Sequence, residues 1–139
     1  MFRRLVLWGA IVAFLALWGA PAAWAQQSGS FYSATPALGS SLVAATGANR
    51  QLEDFEVSAD STLSGAAWWV MIFDAASLPG NGAVTPVKCY AVPTGTAQFS
   101  FAYSDAGPRF QTGVVIGAST TGCFSLTASA HAFIAADVQ

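Results

Sequence analysis

Charged side chains are scarce in this sequence, and their scarcity excludes one large class of function. Of the 139 residues, 9% are Asp, Glu, Lys or Arg, and the formal net charge is −2. Beyond Arg3 and Arg4, the basic residues Arg50, Lys88 and Arg109 stand singly along the chain. A nucleic-acid surface needs clustered basic side chains to neutralise phosphates. Binding to nucleic acid is therefore not expected.

Side chains for catalysis or metal binding are equally sparse. His131 is the single histidine, no second His or Cys follows at metal-ligand spacing, and neither a G-x-S-x-G nor an S-x-x-K motif occurs. Asp54 and Glu56 lie on the same face of one predicted strand, which is typical of a solvated face rather than of a glycosidase pair. Asp74 and Asn81 offer oxygens to calcium without the spacing of an EF-hand loop. The sequence thus predicts no enzyme, no metal and no cofactor.

Cysteine occurs only twice, at Cys89 and Cys123. In an oxidising compartment an isolated pair of cysteines is most simply explained by a disulfide. The alternative is two free buried thiols, since cysteine also packs as a small apolar residue.

The N-terminus has the pattern of a secretory signal peptide. Arg3 and Arg4 precede an uncharged apolar run over residues 5–20, which ends in the small-residue sequence "PAAWA". Residues 1–25 are therefore predicted to be a signal peptide, which places the protein in the periplasm, at the cell surface or outside the cell. No membrane span is then expected after cleavage. The alternative is a retained anchor, because the run approaches the roughly 20 residues that a spanning helix needs.

The remaining sequence has no helical apolar period and is predicted to be all-β. Residues 26–48 are uncharged and rich in Ser, Ala, Thr and Gly, and we interpret them as an extended arm with one edge strand at the most. Residues 49–139 consist of short β-like runs separated by turn residues, with clean alternation at 53–59 and 98–103. This pattern favours one antiparallel β-sandwich or jelly-roll-like domain.

One predicted strand is apolar on both faces. Residues 68–73, "WWVMIF", contain no polar side chain, which indicates a central strand covered on both sides. Trp68 begins the set that fills the core, and Trp69 begins the set on the opposite face. We expect the arm and a partner chain, plausibly a second copy, to cover that opposite face. The sequence that follows, "DAASLPGNGAVTP", is predicted to be a loop at the rim.

Four aromatic residues form the candidate interaction surface: Trp68, Trp69, Tyr90 and Tyr103. An exposed apolar patch would favour a protein partner or self-association. An exposed coplanar row would instead favour stacking on glycans, as in carbohydrate-binding modules. Core packing is the third interpretation, since these residues alternate along strands as core residues do.

Two stretches carry a family resemblance. Residues 68–95, "WWVMIFDAASLPGNGAVTPVKCYAVPTG", and residues 107–120, "GPRFQTGVVIGAST", resemble a small β-sandwich domain of tailed-phage and prophage virion proteins, where it decorates capsids or tail fibres. The resemblance implies the sandwich fold and a role in assembly. The signal peptide and the cysteine pair imply an exported relative. The expected function is that of an exported, non-enzymatic structural, adhesive or assembly module.

Cleavage of the signal peptide is the first testable prediction. Ala23 and Ala25 supply the small side chains that signal peptidase requires, so N-terminal sequencing of the exported protein should begin at Gln26. Recovery of Met1 or Phe2 from a membrane fraction would show that the segment is an anchor.

Overall fold

The chain forms an all-β structure with one short helix. A computed structural model describes residues 31–103 and 107–139, so the predicted signal peptide lies outside the described residues. The elements in chain order are β1 (Phe31–Ala34), β2 (Ser41–Thr46), β3 (Arg50–Ala59), α1 (Ser61–Ser64), β4 (Trp68–Asp74), β5 (Gly82–Ala83), β6 (Lys88–Val92), β7 (Gln98–Ala102), β8 (Arg109–Phe110), β9 (Gly113–Ser119), β10 (Ser125–Leu126) and β11 (Ala132–Val138).

The strands form two main sheets that pack face to face. The first sheet has the order β1-β11-β3-β7, with β8 also paired to β3, and the second has the order β2-β9-β4-β6. Strands β5 and β10 form a small separate pair. All of these pairings are antiparallel. The predicted antiparallel sandwich is thus confirmed.

The main core lies between the two sheets. Strand β3 contributes Phe55 and Val57 from one side, and β4 contributes Trp68, Val70 and Ile72 from the other. This is the alternation that the sequence predicts for both strands. Burial of each large apolar side chain stabilises the fold by roughly 1.5 to 3 kcal/mol. The sandwich is therefore held together chiefly by this apolar layer.

The segment predicted to be an arm contributes an edge strand to each sheet. Strand β1 pairs with β11, and Thr35 continues the ladder by donating its N–H to the Ile134 carbonyl at 2.9 Å. Strand β2 pairs with β9, on the opposite sheet. Both strands are short and uncharged, so their own sequences carry a weak β signal. Along the chain, the residues that pair with β1 lie about a hundred positions away, and those that pair with β2 lie about seventy positions away. A local sequence pattern therefore cannot show either pairing.

The outer face of β4 is covered by the chain itself. Met71 and Phe73 are buried there with Val115 and Leu126, in a second apolar cluster that we call the outer cluster. Leu78, Val84, Ala75, Cys89, Ala128 and Trp69 pack against it. No apolar residue of 31–48 belongs to this cluster, so the prediction that the arm covers this face is wrong for its described residues, while the predicted partner stays a prediction. The cover comes from the segment after β4, which folds back over the sheet.

Two hydrogen bonds and one short strand pairing hold this cover in place. The segment from Ala75 to Val87 is not confined to the rim, because β5 within it pairs with β10. Val84 donates its N–H to the Phe124 carbonyl at 3.1 Å, and the side-chain oxygen of Asn81 accepts from the Ala128 N–H at 2.9 Å. The segment is long enough to cross the sheet and carries Leu78 and Val84 as its apolar contacts.

The predicted disulfide is confirmed. Cys89 and Cys123 are bonded with an S–S distance of 2.08 Å and a Cα–Cα distance of 5.6 Å. Cys89 lies on β6, next to the outer cluster, and Cys123 lies just before β10. The bond therefore ties the residues that lead into β10, the partner of β5 in the cover, to the edge of the second sheet.

Removal of the disulfide should lower stability without changing the sheets. In the chain-entropy model a bond between residues 34 apart is worth about 3 to 4 kcal/mol. We expect the double variant Cys89→Ser, Cys123→Ser to lose roughly that amount in urea unfolding. Wild type treated with a reductant should match the variant, and the variant should not respond to the reductant. Equal stability of the oxidised wild type and the variant would contradict this role.

Candidate functional site

A cluster of five aromatic rings closes one side of the sandwich, between the edge strands β6 and β7. We call it the aromatic cluster; its members are Phe55, Tyr90, Phe99, Phe101 and Tyr103. The ring centroids lie 5.1 Å apart for Tyr90 and Phe101, and 4.8 Å apart for Phe101 and Tyr103. These distances are within the range in which aromatic pairs attract one another. The cluster joins the two sheets where no backbone pairing does so.

Two tyrosines of this cluster hydrogen-bond to each other across the sheets. The hydroxyl oxygens of Tyr90 and Tyr103 are 2.6 Å apart. Burial raises the pKa of Tyr103, and the hydrogen bond with Tyr90 raises it further. The Tyr103 phenol is thus neutral over the physiological pH range. Since both hydroxyls are engaged in this bond, the pair links the sheets rather than presenting a reactive phenolate.

The four aromatic residues predicted as an interaction surface are divided among three places. Trp68 is fully buried in the main core, where its indole Nε1 donates to the Thr96 carbonyl at 3.0 Å. Its inclusion in a surface is therefore wrong, because β4 is central and Trp68 points between the sheets. Trp69 lies half-buried on the opposite face beside the outer cluster. Tyr90 and Tyr103 do come together, within the aromatic cluster.

Asp74 connects the two stretches that carry the family resemblance. It ends β4, and its carboxylate accepts hydrogen bonds from three consecutive backbone N–H groups in the turn before β9: Gln111 at 3.0 Å, Thr112 at 2.6 Å and Gly113 at 3.2 Å. The bonds from Gln111 and Thr112 are the main cause of the lowered pKa of Asp74. Asp74 is thus held as a carboxylate by backbone donors, and its partners are N–H groups rather than a cation.

Gly113 fits this junction because it has no side chain. A Cβ atom there would lie 2.7 Å from the carbonyl oxygen of Ala45 and 2.8 Å from that of Ala75. Both distances are too short for a real contact. The Thr-Gly of residues 112–113 and the Phe-Asp-Ala of residues 73–75 are therefore two halves of one junction. Sequence reasoning identified the motifs but not their contact.

The single histidine belongs to a helix cap. Asp60 is the N-cap of α1, and its Oδ1 accepts from the N–H groups of Thr62 and Leu63. Its Oδ2 lies 2.8 Å from Nδ1 of His131. Desolvation acts to raise the pKa of Asp60, but the hydrogen bonds from Leu63, His131 and Thr62 together lower it. Within the described residues, no serine hydroxyl is hydrogen-bonded to the imidazole, so the pair has the geometry of a cap and not of a triad.

Two carboxylates face each other on the outside of the first sheet. Asp54 on β3 stands opposite Asp137 on β11. Partial burial raises the pKa of Asp54, and repulsion from Asp137 and Glu53 raises it further. Within residues 31–103 and 107–139, no group of three or more His, Cys, Asp or Glu side chains is arranged to hold a metal ion.

Several large apolar side chains lie outside both clusters. The most exposed are Phe124 at 75%, Tyr32 at 69% and Phe31 at 59%, with Leu38 also largely exposed. Phe31 and Tyr32 lie together on β1, whereas Phe124 lies next to the disulfide. Sequence reasoning missed these residues, because they sit in segments interpreted as an arm and as a strand.

Comparison with protein-family models, with curated proteins and with solved structures found no match. In the part of the chain that the structure describes, no helix has the length and apolar character needed to cross a membrane. The candidate interaction surfaces are therefore identified from the structure of this chain alone.

The pKa values of Asp74 and Asp54 are shifted in opposite directions, so replacing each aspartate by asparagine should change the stability of the fold in opposite directions. The lowered pKa of Asp74 means that its carboxylate stabilises the fold above the ordinary aspartate pKa of about 3.9, and that this contribution is lost as pH falls through the lowered value. Asp74→Asn should therefore lower the melting temperature at pH 7 and approach wild type in strong acid.

Asp54→Asn is the matched control, with the opposite sign. Because the pKa of Asp54 is raised, its ionised form destabilises the fold at neutral pH, and the stability recovers as pH falls through the raised value. This variant should melt higher than wild type at pH 7. Melting curves from pH 2 to pH 8 measure both effects, and a shift of the same sign in both variants would contradict the assignment.

Proposed function

We propose that the protein is an exported, non-enzymatic β-sandwich that works through its surface as a structural, adhesive or assembly module. The observation that carries the proposal is the exposure of Phe31, Tyr32 and Phe124 on a fold whose two apolar clusters are already closed by the chain itself. Exposed aromatic side chains that the core does not need are typical of contact surfaces.

The titratable groups support the same proposal. Asp74 accepts backbone N–H groups, Asp60 and His131 cap α1, and Tyr90 and Tyr103 bond to each other. Each of these groups is engaged in a contact that holds part of the fold. Their arrangement is that of structural junctions, since an active site needs a reactive group directed toward a substrate.

Export is supported by the disulfide. Structural disulfides persist in oxidising compartments such as the periplasm and the extracellular space. The bond between Cys89 and Cys123 therefore agrees with the signal peptide predicted over residues 1–25. The resemblance to virion sandwich domains adds an assembly role as an expectation.

Glycan binding is the alternative function, and one observation favours it. Phe101, in the aromatic cluster, leaves 40% of its surface exposed. Its ring plane is tilted by 32° to that of Tyr90 and by 57° to that of Tyr103. A platform for stacking on sugars needs coplanar exposed rings, so this geometry gives the alternative less support than the assembly role has.

Cross-linking in living cells tests the proposal. The full chain, expressed with its own N-terminus, should be recovered from the exported fraction in cross-linked species heavier than one chain. Phe101→Ala serves as the control, because it changes the aromatic cluster and should leave those species unchanged. Recovery of uncross-linked chains alone, together with Phe101-dependent retention on a polysaccharide column, would replace the assembly role by glycan binding.

A further inference from the structure

A sandwich of two open sheets has four edge strands, and they are not equally protected. The described edges are β1 and β7 in the first sheet and β2 and β6 in the second. An unprotected edge offers a row of free N–H and C=O groups to another strand. Proteins block such pairing with prolines, lysines and β-bulges.

Both edges of the second sheet carry such features. Strand β6 lies between Pro86 and Pro93 and begins with the exposed Lys88. Strand β2 has a register irregularity between Val43 and Ala45, where its pairing with β9 shifts. A bulge twists an edge away from a flat approaching strand. The second sheet is therefore a poor template for pairing.

Strand β7 is uncharged, but acidic residues stand beside it. Ala102 pairs with Asp54 and Ser100 pairs with Glu56, both on the outer face of the neighbouring strand β3. Gln98 reaches across to hydrogen-bond the Glu56 carboxylate. Pairing two copies at this edge would place four such carboxylates on the strands next to the pair, whereas pairing at β1 places only the two copies of Asp137 there.

Strand β1, in its four described residues, carries no proline, no lysine and no register irregularity. It reads Phe-Tyr-Ser-Ala, contains neither charge nor proline, and exposes two aromatic rings. Because Thr35 donates its N–H to β11, alternation along the strand directs the N–H and C=O groups of Tyr32 and Ala34 away from β11. On that side β1 pairs with no described strand.

We propose that β1 pairs antiparallel with β1 of a second copy about a two-fold axis. This inference rests on the proposed assembly role and names its partner and its surface. With the axis at Ser33, the outward groups of Tyr32 meet those of Ala34 of the partner subunit, and the reverse contact is equivalent. The first sheets of the two copies then form one continuous sheet.

Side-chain size fits this register. Tyr32 and Ala34 point to the same, outer face of the sheet, because residues two apart on a strand do so. In the pair each tyrosine ring lies beside the small side chain of Ala34 of the partner subunit. Such large-beside-small neighbours pack without a clash, and each ring covers apolar surface that is exposed in the single chain.

Charge also favours a second copy at this edge. The nearest carboxylate is Asp137, opposite Tyr32 on β11. In the paired sheet the two β11 strands are separated by three strand spacings, which is about 14 Å. That separation exceeds the screening length of about 8 Å at physiological salt. Two copies of an acidic chain therefore meet at β1 without appreciable repulsion.

The pairing should be reversible, since four residues form a short interface. Stable protein interfaces bury roughly 1,200 to 2,000 Å² in total, and a strand of this length with two aromatic rings is at the low end of such areas or below it. We expect a monomer–dimer equilibrium that shifts with concentration.

The test is sedimentation of the protein purified from the exported fraction, with its disulfide intact, over a concentration series. Ala34→Pro removes an N–H that points away from β11, so the ladder within the sheet is kept. It should weaken dimerisation at least tenfold. Ala102→Pro is the matched control, because it makes the same change at the outward edge of β7, and it should leave the dimer unchanged.

Tyr32→Lys is a second variant that does not alter the backbone. It places a cation beside Asp137 on the same chain and on the edge that must pair, and it should also weaken the dimer. Circular dichroism checks that each variant keeps its sheets.

Each other outcome overturns the inference in a recognisable way. A wild-type dimer that neither Ala34→Pro nor Tyr32→Lys weakens excludes β1 and leaves the assembly role in place. A dimer lost in Ala102→Pro as well shows head-to-tail pairing of β1 with β7, which excludes the two-fold axis. If the purified protein is a monomer but cross-links to another protein in cells, the pairing of two copies is excluded and the assembly role stands. If it is a monomer and forms no cross-link in cells, the proposed function is excluded as well.

Discussion

The need to cover both faces of β4 governs the rest of the structure. This strand presents Trp68, Val70 and Ile72 to the first sheet, and Met71 and Phe73 to the opposite side. A sandwich has only two layers, so the second face requires a third. The segment from 75 to 87 provides it by folding back over the sheet, where β5 pairs with β10, and the bond between Cys89 and Cys123 ties the residues before β10 to β6. Each large side chain left in water would forgo roughly 1.5 to 3 kcal/mol, which explains why so long a connection is retained.

The same strand also organises the turn before β9. Its last residue, Asp74, collects three backbone N–H groups, and the glycine that follows in that turn is packed too closely for any side chain. The cover and the turn are thus fixed from the same end of one strand. Asp60 and Asp74 both act as local acceptors for backbone N–H groups.

The four edge strands differ in how well they are protected against pairing with another strand, and this difference connects the fold with the proposed function. The second sheet has features that block pairing at both of its edges, and the cover lies over its outer face. The first sheet has a solvated outer face with acidic residues on β3 and β11 and an uncharged edge at β1. An assembly module built in this way can join copies through backbone pairing, which requires geometry more than particular side chains. The assembly role is a proposal that rests on the exposed aromatic residues, and the contact at β1 is a proposal that rests on this difference between the edges.

Local pattern in the sequence was sufficient for the fold class, most of the strands and the disulfide. Strict alternation at 53–59 and 98–103 and the apolar run at 68–73 carry that information within a few residues, because side-chain direction alternates along every strand. The cysteine pair needed only its isolation in a chain whose sequence predicts export. Three features depended on tertiary structure: which segment covers β4, where β1 and β2 pair, and which aromatic residues are exposed. Each of these depends on contacts between residues far apart in sequence. Trp68 and Trp69 are adjacent and identical in type, yet only the packing of the two sheets and the cover decides that one is buried and the other half-exposed.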